Sequence, residues 1–459
     1  VKSDYDVIIV GAGPAGIFAA LELVRHDGMR VLMLEKGPPV EERVCPARVS
    51  SCRKCTPCSI TCGWGGAGAF SDGKLTLSPD VGGWLEEYVG RERLAELIEE
   101  ADRLWLEFGA PPELFGDDEK SAAWARKAVT ADLHLIPVRL RHLGTDRCRS
   151  VLARIGERLR DRVELRSGTE VTGVLVESGR ASGVKTSSGE EISAGAIILA
   201  PGREGAEWLA GLLRSLGGEV RANAVDIGVR VEVPAPVLEE LTRDLYEPKL
   251  IYYSRAFEDR VRTFCVNPHG EVCVERYGDV LTVNGHSYSD HRSELTNFAV
   301  LVNTRFTDPF RQPIAYGKYV ARLANLLGEG ILVQRLGDLE RGRRSTAERL
   351  ARSTIAPSLR DATPGDLSFV LPYRYLKDIM EMLQALDRLA PGVSSRNTLL
   401  YGVEVKFYSA RHQLDRSLMT VVPGLYAVGD GAGVTRGLMQ ASVSGMISAR
   451  SILEKSSTA

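Results

Sequence analysis

Five of the chain's eight cysteines, Cys45, Cys52, Cys55, Cys58 and Cys62, fall within 18 residues. In a reducing compartment that density points to metal or redox chemistry rather than a disulfide scaffold. Cys52, Cys55 and Cys58 have CxxCxxC spacing, which suits three irons of a [4Fe–4S] cluster, and Cys62 completes the local run C-x2-C-x2-C-x3-C. In two-cluster ferredoxins the last cysteine of such a run serves the other cluster, and a remote cysteine followed by proline completes the first. Cys45-Pro46 fits that remote role. The expected ligands are therefore Cys45, Cys52, Cys55 and Cys58, with Cys62 as a substitute. Four thiolates also make a structural zinc site, and a redox-active dithiol or a set of free thiols is the third reading.

A second chemistry is written at the amino end. The stretch VIIVGAGPAG sets Gly11, Gly13 and Gly16 in GxGxxG spacing, with Pro14 and Ala15 between them. Gly11 permits a tight turn, Gly13 lets a pyrophosphate reach the backbone, and Gly16 allows close packing of helix on strand. The helix that follows offers free N–H groups and a positive dipole end to the pyrophosphate. Glu35, 19 residues after Gly16 and followed by Lys36, stands where an acid accepts hydrogen bonds from ribose hydroxyls. The fingerprint alone does not separate FAD from NAD.

The elements that must position these residues follow from periodicity. Residues 5–10 (YDVIIV) read as a buried strand, 14–26 as a helix and 30–34 (RVLML) as a second strand, a βαβ unit with a parallel sheet. A loop of about 40 residues, rich in cysteine and glycine, comes next and is long enough to suspect function. Apolar residues from Arg93 to Phe108 recur at helical spacing. Residues 163–200 alternate short β-like runs with Ser-Gly turns and end in AIILAPGRE, a meander returning to the main sheet. The region around 215–395 has a different texture, closes with a helix from Tyr375 to Leu389, and carries no nucleotide motif. GLYAVGD and GAGVTRGLMQASVSGMISARSIL then read as strand, turn and helix.

Together these give an α/β fold with a Rossmann-like domain built from discontinuous segments and an inserted α+β substrate or cap domain. The expected divisions are 1–44 for the βαβ unit and 45–75 for the cysteine- and glycine-rich loop. Residues 76–214 form the helical segment and meander, 215–395 the cap, and 396–459 the closing segment. With 44% hydrophobic residues, 26% charged residues and a net charge of −2, composition gives no long-range pull toward nucleic acid or anionic membrane. A transmembrane helix and a leader peptide are not expected, and a cytoplasmic location is.

The closing segment resembles the second flavin motif of the two-dinucleotide-fold flavoproteins. That resemblance implies FAD, with Gly429 and Asp430 at the ribityl chain and the next helix aimed at the flavin pyrimidine through Gly437, Leu438, Gln440 and Ala441. Leu199-Ala200-Pro201-Gly202 is similar to the intermediate motif of the same superfamily, with proline where threonine is usual. Ala200 and Gly202 join the cofactor set, as does Val171. The segments GWGGAGAFSDGKLTL, RTFCVNPHGEV, TNFAVLV, YGVEVKFYS and GDGAGVTRGLMQAS resemble the uncharacterised FAD-dependent dehydrogenase family, whose fold is similar to the glutathione-reductase type. The resemblance implies a redox reaction and names no substrate. Gly65, Gly66, Ala67 and Gly68 are expected to bring backbone to the flavin edge.

Lys74 and Arg436 are candidates for positive charge beside the flavin or an anionic substrate. His269, Glu404, Tyr408 and His412 lie in the matched segments and read mainly as packed or hydrogen-bonded residues. The arginine-rich run from Arg335 to Arg352 reads as a solvated helix face. Cys265 and Cys273 read as buried strand positions. The expected reaction moves a hydride or electron pair between FAD and a small organic molecule, a C=C bond being one option, with a cluster relaying electrons to a ferredoxin-like carrier. NAD(P)H-fed reduction without a cluster, an RNA-modifying flavoprotein and a non-enzymatic electron-transfer module are the alternatives. The low net charge argues against the RNA reading.

Overall fold

The computed structural model describes the chain except for residues 1–2, 46–52, 54, 222, 288–291, 305, 307–308, 311, 408 and 458–459. The β-branched run ahead of the glycine turn forms the strand Tyr5–Val10, its last four residues buried. Pro14 opens the helix Pro14–Leu23 at the position where proline loses no donor. That helix stops short of the expected residue 26, because the Arg25 and His26 N–H groups bond the Glu22 and Leu23 carbonyls in a tightened turn. Gly28, at φ 90°, completes the reversal.

The chain divides into two compact units, one of Val1–Glu113, Arg141–Asn223 and Tyr408–Ala459, the other of Leu114–Leu140 and Ala224–Phe407. In the first, parallel strands run in the order Val163–Ser167, Val31–Glu35, Tyr5–Val10, Glu191–Leu199 and Leu425–Ala427. The start of Glu191–Leu199 also pairs antiparallel with Arg180–Thr186, which pairs with Val171–Glu177, so one strand belongs to both sheet and meander. The closing helix, Leu438–Ser457, packs on Pro14–Leu23 so closely that a Cβ at Gly445 would lie 1.9 Å from the Ala15 carbonyl oxygen. The helix Arg91–Glu107 buries Leu94, Leu97, Ile98, Ala101 and Trp105, the stripe its periodicity predicts.

The second unit is built on an eight-stranded sheet whose central strand, Val225–Pro234, lies antiparallel between Leu295–Thr304 and Leu399–Lys406. Ile227, Val229, Val231 and Val233 share an apolar cluster with Ile379, Met382, Leu383 and Leu386 of the helix Tyr373–Leu389. The alternate residues Asp226, Arg230 and Glu232 are also buried. Between the pairs Gly228–Glu404 and Arg230–Tyr401 the ladder holds one extra residue on the Leu399–Lys406 strand. Such a bulge re-aims side chains, and here Tyr401 bonds Glu232 while Glu404 bonds Arg230, three residues apart on one strand.

The arginine-rich run is not a solvated helix face. It holds two short helices, Leu336–Leu339 and Ala347–Ala351, and Arg335 and Arg343 close on the buried carboxylate of Asp338 at 3.0 and 2.9 Å. Burying Asp338 required counter-charge, and the nearby arginines supply it. Cys265 and Cys273 stand on strands as expected but are half-buried. Among the described residues no helix is long and apolar enough to cross a membrane.

Candidate functional site

Parallel strands leave their turns on one edge of a sheet, where open α/β folds bind ligands. Gly11 follows the first strand, Lys36 and Gly37 the second, Ala200 to Gly202 the strand Glu191–Leu199, and Gly429-Asp430 the strand Leu425–Ala427. Hydrogen bonds continue the ladder past these ends: Gly11 N–H to Leu34 O at 2.8 Å, Ala200 N–H to Val10 O at 2.7 Å, and Val428 N–H to Leu199 O at 2.9 Å. The sheet thus brings the three sequence-distant cofactor motifs to a single edge.

The three fingerprint glycines are not equivalent. Gly11 sits at φ 103°, and a Cβ there would lie 2.2 Å from the Ala200 carbonyl oxygen. A Cβ at Gly16 would lie 2.0 Å from the Gly11 carbonyl oxygen, so both glycines answer to packing. A Cβ at Gly13 would meet nothing nearer than the Gly66 Cα at 4.0 Å. Gly13 therefore keeps room free at the amino end of a helix, and that room fits a pyrophosphate. Open space also surrounds Gly202 and Gly437.

Glu35 is buried, and its carboxylate accepts three backbone N–H groups: Ala12 at 2.9 Å, Gly37 at 2.8 Å and Gly63 at 2.8 Å. A carboxylate offers about four acceptor directions, so about one remains for a ribose hydroxyl. Glu35 is also a knot that ties the fingerprint loop to the return stem of the cysteine loop. Lys36 lies 3.9 Å from Glu204 on the half-exposed surface.

The glycine-rich segment extends that knot. Gly65 N–H donates to the Ala12 carbonyl at 2.7 Å. A Cβ at Gly66 would lie 3.0 Å from the Gly13 Cα, and one at Gly68 would lie 2.9 Å from Leu438 and 3.3 Å from Pro14. With Ala67 it forms the tight 3-10 turn Gly66–Phe70. Residues 65–68 are therefore layered on the starts of both the first and the last helix, which makes them a floor shared by two motifs.

At the closing motif, Thr435 Oγ1 donates to Asp430 at 2.6 Å, and Arg203 lies 3.7 Å from the same carboxylate. Gly429 N–H is held by Ser444 Oγ at 3.0 Å. Gln440 donates to the carbonyls of Val81 at 3.1 Å and Pro79 at 3.4 Å, while its buried Oε1 finds no donor among the described residues. A bound group with its own N–H would satisfy that orphan acceptor at the first turn of the last helix. Ala441 is buried in the same turn, and Val171 is buried at the head of the meander. Arg436 stacks its guanidinium 3.7 Å over the Trp84 ring, and Lys74 is ion-paired with Asp72 at 2.8 Å.

Cys52 lies outside the described residues. Cys55 is exposed, Cys45 and Cys58 are half-buried, and Cys62 is buried. Among the described residues no three of His, Cys, Asp and Glu gather in a group able to hold a metal. Cys45, Cys55 and Cys58 thus do not converge as the cluster or zinc reading requires. Of the weaker candidates, Tyr408 is outside the described residues, and His269 Nδ1 faces the Ser293 carbonyl at 2.9 Å. Glu404 is held by Arg230 at 3.2 Å and Lys406 at 3.0 Å inside the second unit. His412 is buried with neither ring nitrogen bonded among the described residues, and burial lowers its pKa to about 4. Glu404 and His412 are thus both packed inside their own units.

Two residues escaped the sequence reading. Arg43 is fully buried beside the Phe70 ring, and no motif spacing marks it. Trp84 belongs to a strap over the closing motif: its N–H bonds the Val434 carbonyl, and Arg436 N–H bonds that of Gly82. The glycine pair Gly82-Gly83 was its one visible signal.

Residues 4–45 match the family model described as FAD binding domain. Residues 224–407 match the model described as FAD-dependent protein, C-terminal domain-like. The chain is an FAD-dependent oxidoreductase. The second match spans the larger segment of the second unit. An uncharacterized protein of Clostridium beijerinckii is similar, 28% identical over 474 aligned residues that cover 98% of this chain and 80% of that protein. Among solved structures, a 3-ketosteroid-Δ4-(5α)-dehydrogenase of Rhodococcus jostii RHA1 is 14% identical with a TM-score of 0.46, covering 98% of each chain. An L-proline dehydrogenase of P. horikoshii is 12% identical with a TM-score of 0.43, covering 99% of this chain and 95% of the other.

Proposed function

We propose that this oxidoreductase moves a hydride or electron pair between FAD and a small organic molecule, with formation or saturation of a C=C bond as the reaction class. The observation that carries the FAD reading is Gly13: a position with room for a side chain, kept bare at a helix amino end, beside the glycine floor of residues 65–68. In this reading the first helix faces the pyrophosphate, Glu35 takes the adenosine ribose, Asp430 the ribityl chain, and the last helix with Gln440 the pyrimidine. A glutathione-reductase-type arrangement of the domain belongs to the same proposal. FAD, when bound, supplies the redox chemistry, and the chain supplies orientation and electrostatics.

Electron relay through a [4Fe–4S] cluster to a ferredoxin-like carrier rests on the cysteine spacing alone. A second reading, reduction by NAD(P)H without a cluster, is favoured by the separation of Cys45, Cys55 and Cys58. Anaerobic purification with FAD, iron and zinc analysis tests both. Oxidised flavin that bleaches with a saturated compound, or reduced flavin that regains its colour with the matching C=C compound, supports the reaction class, and bleaching by NAD(P)H alone selects the second reading. About four irons per chain would restore the relay. Failure to retain FAD sinks the whole assignment.

A further inference from the structure

Arg43 is buried at 0% exposure, and its guanidinium is held by neutral acceptors alone among the described residues. Its Nε donates to the Ser59 carbonyl at 3.0 Å, Nη2 to that of Ile60 at 2.8 Å and Nη1 to that of Trp64 at 2.6 Å. The Phe70 ring lies 4.8 Å from its Cζ. Glu35 acts on this cation through space without a hydrogen bond to it, and as core filling a buried cation so held is a poor choice, since an apolar residue of similar volume serves better. What the planar fork does provide is three bonds in fixed directions, and all three land on one stem, residues 59–64.

The other side of that stem meets the cofactor machinery. Gly63 N–H donates to Glu35 at 2.8 Å, and Gly65 N–H donates to the Ala12 carbonyl at 2.7 Å. Gly66 rests on Gly13, where a Cβ would come within 3.0 Å of the Gly13 Cα. Trp64, between them, is anchored by its own indole N–H on the Leu152 carbonyl at 2.8 Å. The stem is therefore clasped by Arg43 on one side and delivered to Ala12, Gly13 and Glu35 on the other.

We propose that Arg43 is a positioning residue for the cofactor: it holds residues 59–64 so that Gly63, Gly65 and Gly66 seat on Glu35 and the fingerprint loop. This inference rests on the FAD reading above. The test is FAD titration of the apo protein by flavin fluorescence for wild type, Arg43→Met and Arg43→Lys, with chymotryptic cleavage after Trp64 read in parallel. Trp64 is 5% exposed and should resist the protease in wild type. Both variants should bind FAD about tenfold more weakly or worse, and their apo forms should be cut after Trp64. Lysine keeps the charge and offers one donor group in place of the fork, so Arg43→Lys carries the test if Arg43→Met does not fold. FAD affinity in Arg43→Lys within about twofold of wild type would overturn the proposal. So would weakened binding with Trp64 still protected, because the residue would then act without holding the stem. Wild-type protein that takes up no FAD overturns the functional reading instead, and the cleavage pattern still reads the clasp.

Discussion

Gly13 and Gly16 share one fingerprint and have opposite mutational signatures. Gly13 has φ −80° and free space where a Cβ would point. Gly13→Val should fold with an apo melting temperature within about 3 °C of wild type yet bind FAD at least about a hundredfold more weakly. Gly16→Ala forces a Cβ to within 2.0 Å of the Gly11 carbonyl oxygen and should cost about 3 kcal/mol of stability. Calorimetry of both apo proteins, paired with FAD titration, separates the two roles. A Gly13→Val protein with full FAD affinity would remove the observation on which the cofactor assignment stands. At this scale the sequence is informative wherever a residue type has few alternative uses. GxGxxG and Glu35 are legible because only glycine permits those approaches and only an acid suits that strand end. Arg43 is illegible because its partners are backbone carbonyls, which carry no signature, and Glu35's three N–H donors are hidden for the same reason.

The Leu399–Lys406 strand shows what an element adds. Its extra residue turns Glu404 onto the face where Arg230 is wholly enclosed, and Lys406 joins at 3.0 Å. Removing the carboxylate charge with Glu404→Gln leaves the buried Arg230 without its carboxylate and Lys406 with Glu275 at 3.4 Å as its remaining one. That should cost about 3–5 kcal/mol, measurable as a lowered urea midpoint. A loss under about 1 kcal/mol would mean that water or a neighbour compensates the charge. Strands and helices with a clean period, such as Tyr5–Val10, Arg91–Glu107 and Tyr373–Leu389, are readable from composition alone. The bulge is not, because a one-residue slip leaves no mark in an alternating pattern until the partner strand is known. The run from Arg335 misleads for a related reason: arginines at helical spacing suggest a wet face, whereas the buried Asp338 that gathers them reads as one more surface acid.

Across the whole molecule, two buried groups oppose one another in acid. His412 in the first unit is held neutral, its pKa lowered from 6.5 to about 4 by burial and the nearby Arg214 charge. The unfolded chain binds the proton more readily, so stability is full above about pH 6.5 and falls as pH drops toward 4, by about 3 kcal/mol. Asp378 in the second unit is enclosed near Asp259, Ser254 and Arg374, and burial raises its pKa to about 7. Its protonated form is favoured by the fold, so its contribution is full in acid and declines as pH rises from about 4 to 7. His412→Phe should flatten the acid limb of a stability–pH profile, and Asp378→Asn should raise stability at neutral pH. Unchanged profiles in both would show that these side chains are hydrated. The contact of Gly445 on Ala15 has a consequence for biosynthesis. The strand and helix that start the cofactor site leave the ribosome before Gly429, Asp430 and the helix that closes on Ala15. A nascent chain stalled before Gly429 should leave added FAD fluorescent. Flavin capture then waits for the closing helix to reach Ala15, however early the fingerprint strand is made.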